Sequence, residues 1–135
     1  MIAVRDRKDE AGWGPWSIKQ GVTHVRPPDE ILSRMLAVRI SLDNCGAYDG
    51  PLRVLPASHT YGFLSDEQIV SWPKLNAVTC TARRGDVILM RPLLLHASSS
   101  ATVPTNRRVI HIEYASEELP NGIEWHERVT GEPVP

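Results

Sequence analysis

Along residues 35–42 the side chains change character at every step. Met35, Ala37, Arg39 and Ser41 alternate with Leu36, Val38, Ile40 and Leu42, a period of two that suits a pleated strand and not a helix. The period returns at 107–114, where Arg107, Val109, His111 and Glu113 fall on one face and Arg108, Ile110, Ile112 and Tyr114 on the other. Turn chemistry fills the space between. DNCGAYDGP supplies Asn, Asp and Gly for a reversal, LRVLP is a short strand closed by its proline, and VTCTAR at 78–83 alternates again before the turn RRGD. DVILMRPLLLHAS, residues 86–98, reads as one buried strand in which Pro92 forces a bulge. Ser65 ahead of Glu67 and Gln68, with Ile69, Val70 and Trp72 beyond, predicts a capped helix over 65–72 stopped by Pro73, the one helix expected. Residues 1–30 are rich in glycine, proline and mixed charge, and the tail after Glu117 is polar. The expectation is an all-β sandwich or barrel with a loop segment at 1–30, a core at 31–117 and a tail at 118–135.

A chain of 135 residues is long enough for one hydrophobic core. A net charge of -1 argues against nucleic acid and against a charged membrane surface as partners. Aromatic residues, 6% of the chain, are too sparse for a base-stacking platform. Cys45 and Cys80 have no CxxC spacing and the start, MIAVRDRKDE, is charged, so a reduced, cytoplasmic protein is expected. The longest apolar run, Val87 to Leu95, is interrupted by Arg91 and Pro92 and is too short to span a bilayer.

Chemistry concentrates in RPLLLHASSSATVPTNRR, from Arg91 to Arg108. An apolar strand there ends on His96, whose neutral imidazole can ligate a metal, and Arg107 follows with a rigid fork of donors that matches a carboxylate. Arg107 and Arg108 point to opposite faces of a strand, so only one reaches the interior. The spacing favours Arg107, because Arg108 shares its face with Ile110, Ile112 and Tyr114.

The string MLAVRISLDNCGAYDGPLRVLPASH, residues 35–59, resembles the phytanoyl-CoA dioxygenase-like branch of the Fe(II)/2-oxoglutarate oxygenases. Gly50 to His59 fits that family's GxLxVxPxSH turn, Gly85, Asp86 and His96 fit the strand that follows, and Arg107 fits its cosubstrate arginine. The resemblance runs over residues 13–116 and implies a double-stranded β-helix, a jelly-roll or cupin-like barrel incomplete at its N-terminus, with Fe(II), 2-oxoglutarate and a small-molecule substrate in its lumen. It makes His96 the distal iron ligand, sets Ser98 against the cosubstrate carboxylate and assigns Arg107 to anchor that carboxylate. His24, Trp16 and Lys19 fall in the segment that lines or covers the substrate entrance, and Arg39 would meet an acidic substrate from the lumen. The family's His-x-Asp pair, expected just ahead of residues 1–5, is not in the sequence. One of three iron ligands is therefore present, and the expectation is an oxygenase C-terminal portion, inert alone.

Two other readings follow from the residues. His111-x-Glu113, or a neighbouring subunit, could complete a non-standard metal site with His96. Alternatively the barrel is a non-catalytic module binding a small acid or a protein. On either reading Leu36, Val38, Ile40, Ile110, Ile112 and Tyr114 lack a cover within the chain, which predicts a homodimer, a covering segment or poor solubility. Asp43, Asp49, Asp66 and Cys45 are read as structural, and His59 as fixing a turn.

Overall fold

Nine short strands in three antiparallel sheets account for the regular structure of the described residues, 1–71, 76–102 and 106–129, in a computed structural model. In chain order they are β1 (Ile2–Val4), β2 (Trp16–Lys19), β3 (Val22–Val25), β4 (Leu36–Ser41), β5 (Leu52–Val54), β6 (Val78–Cys80), β7 (Val87–Met90), β8 (His96–Ser98) and β9 (Val109–Tyr114). Two helices interrupt them, α1 (Asp29–Arg34) and α2 (Asp66–Ser71). The chain divides into two units, residues 32–115 and a second made of residues 1–31 with the segment from 116 onward.

In the unit of residues 32–115 the alternation of β4 decides which residues go inside. One sheet has the order β7-β4-β9, and Ala37 pairs with Met90 and Glu113, Arg39 with Ile88 and His111, and Ser41 with Val109. The other has the order β6-β5-β8, with Leu52 between Cys80 and Ser98. Ala37 and Met90 from the first sheet meet Leu52 from the second in a buried cluster, against which Val54, Cys80, Ile88 and Leu94 pack. Two sheets face to face over one apolar seam make the flattened barrel of a jelly roll.

The odd-numbered face of β4 is thus internal, and the even-numbered face turns outward. That outer face carries Leu36, Val38 and Ile40, flanked by Val87 and Leu89 on β7 and by Ile110, Ile112 and Tyr114 on β9. Leu89 is 62% exposed, Val87 52% and Tyr114 49%.

Three expectations change. Residues 86–98 do not form one buried strand: the chain turns at 91–95, where the Leu94 N–H donates to the Arg91 carbonyl at 3.0 Å, and β7 and β8 enter different sheets. Pro92 lacks the N–H that a continuous ladder would need, so the run breaks into two strands instead of bulging. Val87 and Leu89 are exposed for the same reason, since β7 has one face on the core and not two. A second helix, α1, follows Pro27 and Pro28, where Asp29 and Glu30 place negative charge at the positive end of the helix dipole. The expected helix at 65–72 appears as α2, capped by Ser65, whose hydroxyl accepts from the Gln68 N–H at 3.3 Å while the Gln68 amide oxygen accepts from the Ser65 N–H at 2.8 Å. Its expected end at Trp72 and Pro73 lies outside the described residues.

Within the other unit, β3 is the middle strand between β1 and β2, and Ile2, Val4 and Val25 are buried. The segment near residue 125 runs beside β1: Val4 pairs with Trp125, the Arg5 N–H donates to the Glu124 carbonyl at 3.0 Å, and Leu119 and Ile123 are buried. No described helix is long and apolar enough to cross a membrane.

Candidate functional site

His96 owes its position to the strand beside it. In β8 it lies opposite Val54, and Ser98 lies opposite Leu52, so both share the sheet face of the core residue Leu52 while Ala97 shares that of Arg53, although all three residues of β8 are exposed. The residue just before His96 is held at both ends of its peptide. The Leu55 N–H donates to the Leu95 carbonyl at 3.0 Å, and the Leu95 N–H donates to the Ser58 hydroxyl at 2.8 Å. Ser58 is 1% exposed, so this bond is sheltered from water.

The His96 ring is exposed, and its Nδ1 lies 2.7 Å from the Leu94 carbonyl oxygen. A carbonyl only accepts, so Nδ1 is the donor there, and in the neutral ring Nε2 then carries the lone pair with which imidazole binds a metal. His96 borders a cleft of about 370 Å³ that it shares with Arg53 and Ala97 from the opposite face of the sheet and with Val54, Leu55, Ile69 and Leu95. That volume and apolar lining suit a small molecule.

Arg107 and Arg108 separate as strand alternation requires. Ser41 pairs with Val109 and the Leu42 N–H donates to the Arg108 carbonyl at 2.9 Å, so the register continues to this end of β9. Arg108 turns away from the core and grips Asp43: its backbone N–H donates at 2.9 Å, Nε at 3.0 Å and Nη2 at 2.8 Å. Those side-chain bonds from Arg108, then its backbone N–H, hold the Asp43 carboxyl down at about 2, and the Arg108 guanidinium is raised in turn.

Arg107 reaches inward. Its Nη1 is buried and has no hydrogen-bond partner among the described residues. A buried guanidinium nitrogen without an acceptor is costly, on the order of 1–3 kcal/mol, and the structure supplies none. Arg107 borders a small internal cavity of about 10 Å³, together with Arg39, Ser41, Leu52, Cys45 and Cys80. That volume holds one water molecule at most.

Gly50 makes the approach of Arg107 possible. It has φ +67, and a Cβ placed there would stand 2.1 Å from the Ser99 carbonyl oxygen and 3.1 Å from Nη1 of Arg107. Only glycine combines that backbone angle with that closeness.

Arg39 is half-buried on the internal face of β4, between Ile88 and His111. His111 and Glu113 share that face, with Nε2 3.8 Å from Oε1. Among the described residues, however, no group of three or more His, Cys, Asp or Glu side chains is placed to hold a metal ion. His96, His111 and Glu113 therefore do not assemble into the alternative triad.

Trp16, Lys19 and His24 belong to the other unit. There His24 pairs with Ser17, which puts His24 and Lys19 on one face of the sheet, while Trp16 pairs with Val25 on the opposite face. The three cannot line one wall. The Nδ1 atom of His24 lies 3.0 Å from the Val22 carbonyl, and Trp16 has the Arg7 guanidinium 5.7 Å from its ring centre.

Two residues that position the site were not singled out by the sequence. Ser58 was readable only as part of a PxSH turn, and His59 was expected to fix that turn. The turn is fastened instead by the Ser58 N–H to Leu55 at 3.2 Å and by Thr60, whose N–H and hydroxyl both donate to the Ala57 carbonyl, while His59 Nδ1 is buried without a partner among the described residues. Gly50 carried a visible signal, a glycine in a turn, but nothing in the sequence tied it to Arg107.

The donor set decides which groups fit. Among the described residues, a buried guanidinium nitrogen without an acceptor fits a carboxylate, whereas one imidazole without companions does not fit a tightly held iron ion. A family model described as phytanoyl-CoA dioxygenase (PhyH) matches residues 6–109. No curated protein matches the chain.

Proposed function

The chain belongs to the phytanoyl-CoA dioxygenase family, and from that premise we propose that it carries the cosubstrate half of an Fe(II)/2-oxoglutarate-dependent oxygenase site. Arg107 takes the distal carboxylate of 2-oxoglutarate in a two-pronged contact, and Ser98, on the sheet face of Leu52, offers a hydroxyl to the same region. His96 presents Nε2 toward the position of the metal, and the cleft beside it receives a small-molecule substrate. The observation that carries this reading is the buried Nη1 of Arg107, which has no hydrogen-bond partner among the described residues. Since the described residues bring one imidazole and no adjoining carboxylate to the metal position, the chain alone binds iron weakly and turns over little or no 2-oxoglutarate.

Calorimetric titration of the metal-free protein with 2-oxoglutarate tests the reading. Binding to the parent chain that falls at least tenfold in Arg107→Gln supports it, with circular dichroism showing that the variant is folded. Equal affinity in both proteins removes Arg107 from the site and the reading with it. In parallel, anaerobic addition of Fe(II) with 2-oxoglutarate should give no metal-to-ligand charge-transfer band and no succinate after admission of air. A strong band would show that the chain completes a metal site by itself or with a second copy.

A further inference from the structure

We infer that the free edge of β8 is a self-pairing interface, at which two copies of this chain join β8 to β8 in antiparallel fashion and run their β6-β5-β8 sheets into one. It needs only the backbone of β8 and is independent of the oxygenase reading.

β8 is the end strand of its sheet, and all of its residues are exposed. Its hydrogen-bond phase follows from its neighbour. His96 faces Val54, Ala97 faces Arg53 and Ser98 faces Leu52, and one step further along the same register the Leu55 N–H donates to the Leu95 carbonyl at 3.0 Å. Opposite residues in an antiparallel pair alternate between exchanging hydrogen bonds and not exchanging them. Residues 55 and 95 are bonded, so 53 and 97 are the next bonded pair, and the N–H and C=O groups of His96 and Ser98 point away from β5 to the open side. Among the described residues nothing receives them. A strand edge in this state is a template for another strand.

Native edges are usually blunted by charge, proline or a bulge. Residues 96–100, HASSS, contain no charged residue and no proline, and β5 pairs with β8 without a slip. A second copy fits this edge without remainder. Turned antiparallel about Ala97, His96 of one copy lies opposite Ser98 of the other, and each such pair exchanges both of its bonds, so the outward groups of both edges are satisfied together. The two Ala97 residues meet as the intervening unbonded pair, about 4.5 Å apart at Cα, a spacing that a methyl group tolerates. Charge does not oppose the match. Arg53, the one Lys, Arg, Asp or Glu in the strands of this sheet, is set back by a strand in each copy, so roughly 14 Å separates the two, beyond the screening length of about 8 Å at physiological salt. A copy of β8 is thus the strand that matches the edge in length, register and charge, and it is present wherever the chain is.

The test uses the full chain carrying Leu89→Lys and Ile110→Lys, so that the apolar outer face of the other sheet does not contribute, with sedimentation equilibrium and amide hydrogen exchange as the readouts. A dimer is expected at high concentration, with exchange at the His96 and Ser98 amides slowing as the dimer fills. Ser98→Pro removes an outward N–H and leaves the bonds between Ala97 and β5 whole; it should weaken the dimer at least about tenfold while circular dichroism still shows a folded chain. Ala97→Lys sets two like charges opposite each other and should weaken the dimer at low salt but much less at about 1 M salt, a dependence that damage to the fold would not show. A chain that stays monomeric at every concentration leaves the edge to some other strand and overturns the inference. Slow exchange at His96 and Ser98 that does not change with concentration means that the chain covers its own edge, and overturns it as well, as does a dimer untouched by both Ser98→Pro and Ala97→Lys.

Discussion

Replacing Gly50 with alanine puts the packing around Arg107 to a quantitative test. Two separate costs apply. At φ +67 any residue with a Cβ is strained, by about 1–2 kcal/mol. In addition the new methyl would stand 2.1 Å from the Ser99 carbonyl oxygen, and ordinary van der Waals contact begins at 3.4 Å, so the chain at Ser99 must retreat by roughly 1.3 Å. Forcing atoms into a packed site costs a further 1–3 kcal/mol or so. The sum is about 2–5 kcal/mol, a fall in melting temperature of roughly 7–18 °C for a chain of this size. Because Nη1 of Arg107 lies 3.1 Å from the same methyl, carboxylate binding should weaken as well. Gly85→Ala separates the two costs, since Gly85 has φ +92 but nothing within 4 Å of its Cβ. It should lose only about 1–2 kcal/mol and bind carboxylates normally. Thermal melts by circular dichroism, with 2-oxoglutarate titrations on each protein, read both quantities. Equal losses in the two variants, with binding intact in both, would refute the close approach of Gly50 to Ser99 and Arg107.

Two further outcomes follow, one from the Asp43–Arg108 pair and one from the outer face of a sheet. Asp43 is held at about 2 against an ordinary 3.8, so its pairing with Arg108 stabilises the fold fully above about pH 4 and the contribution is lost as pH falls through 2; acid unfolding should therefore show the stability gap between the parent chain and Asp43→Asn closing across that window, and a gap that stays constant down to pH 2 contradicts the assignment. The outward face of the β7-β4-β9 sheet presents Val87, Leu89, Ile110 and Tyr114 with no charge among them, so copies of this chain should associate through it; Leu89→Lys combined with Ile110→Lys is expected to reduce the scattering mass at high concentration, and a parent chain that is already monomeric there would count against the association.

What could be read from the sequence was whatever repeats with the period of a strand against one buried face. β4 and β9 were legible for that reason, together with the opposite directions of Arg107 and Arg108, because a single core fixes the sense of the alternation. Residues 86–98 were not, since nine nearly continuous apolar positions look the same whether they run through one sheet or cross between two. Only the pairing of Ala37 with Met90 and of Val54 with His96 distinguishes these cases. α1 is six residues long, too short for a helical period to show. Trp16, Lys19 and His24 looked like one group because they are near in sequence, and the pairing of Trp16 with Val25 divided them. The role of Ser58 depends on a partner 37 residues away, which no local pattern encodes. Family membership was legible through Gly50, His59, His96 and Arg107 in their order, yet the absence of a metal cluster from the described residues had to be read from geometry.

The grip of Arg108 on Asp43 has a consequence for how this protein can vary. Arg107 directly precedes a residue fastened by three bonds to one carboxylate, at the start of a strand paired with β4. A single insertion between residues 108 and 114 would flip every later side chain of β9 to the other face. Length variation among related sequences should therefore be excluded from the stretch between that clasp and the end of β9.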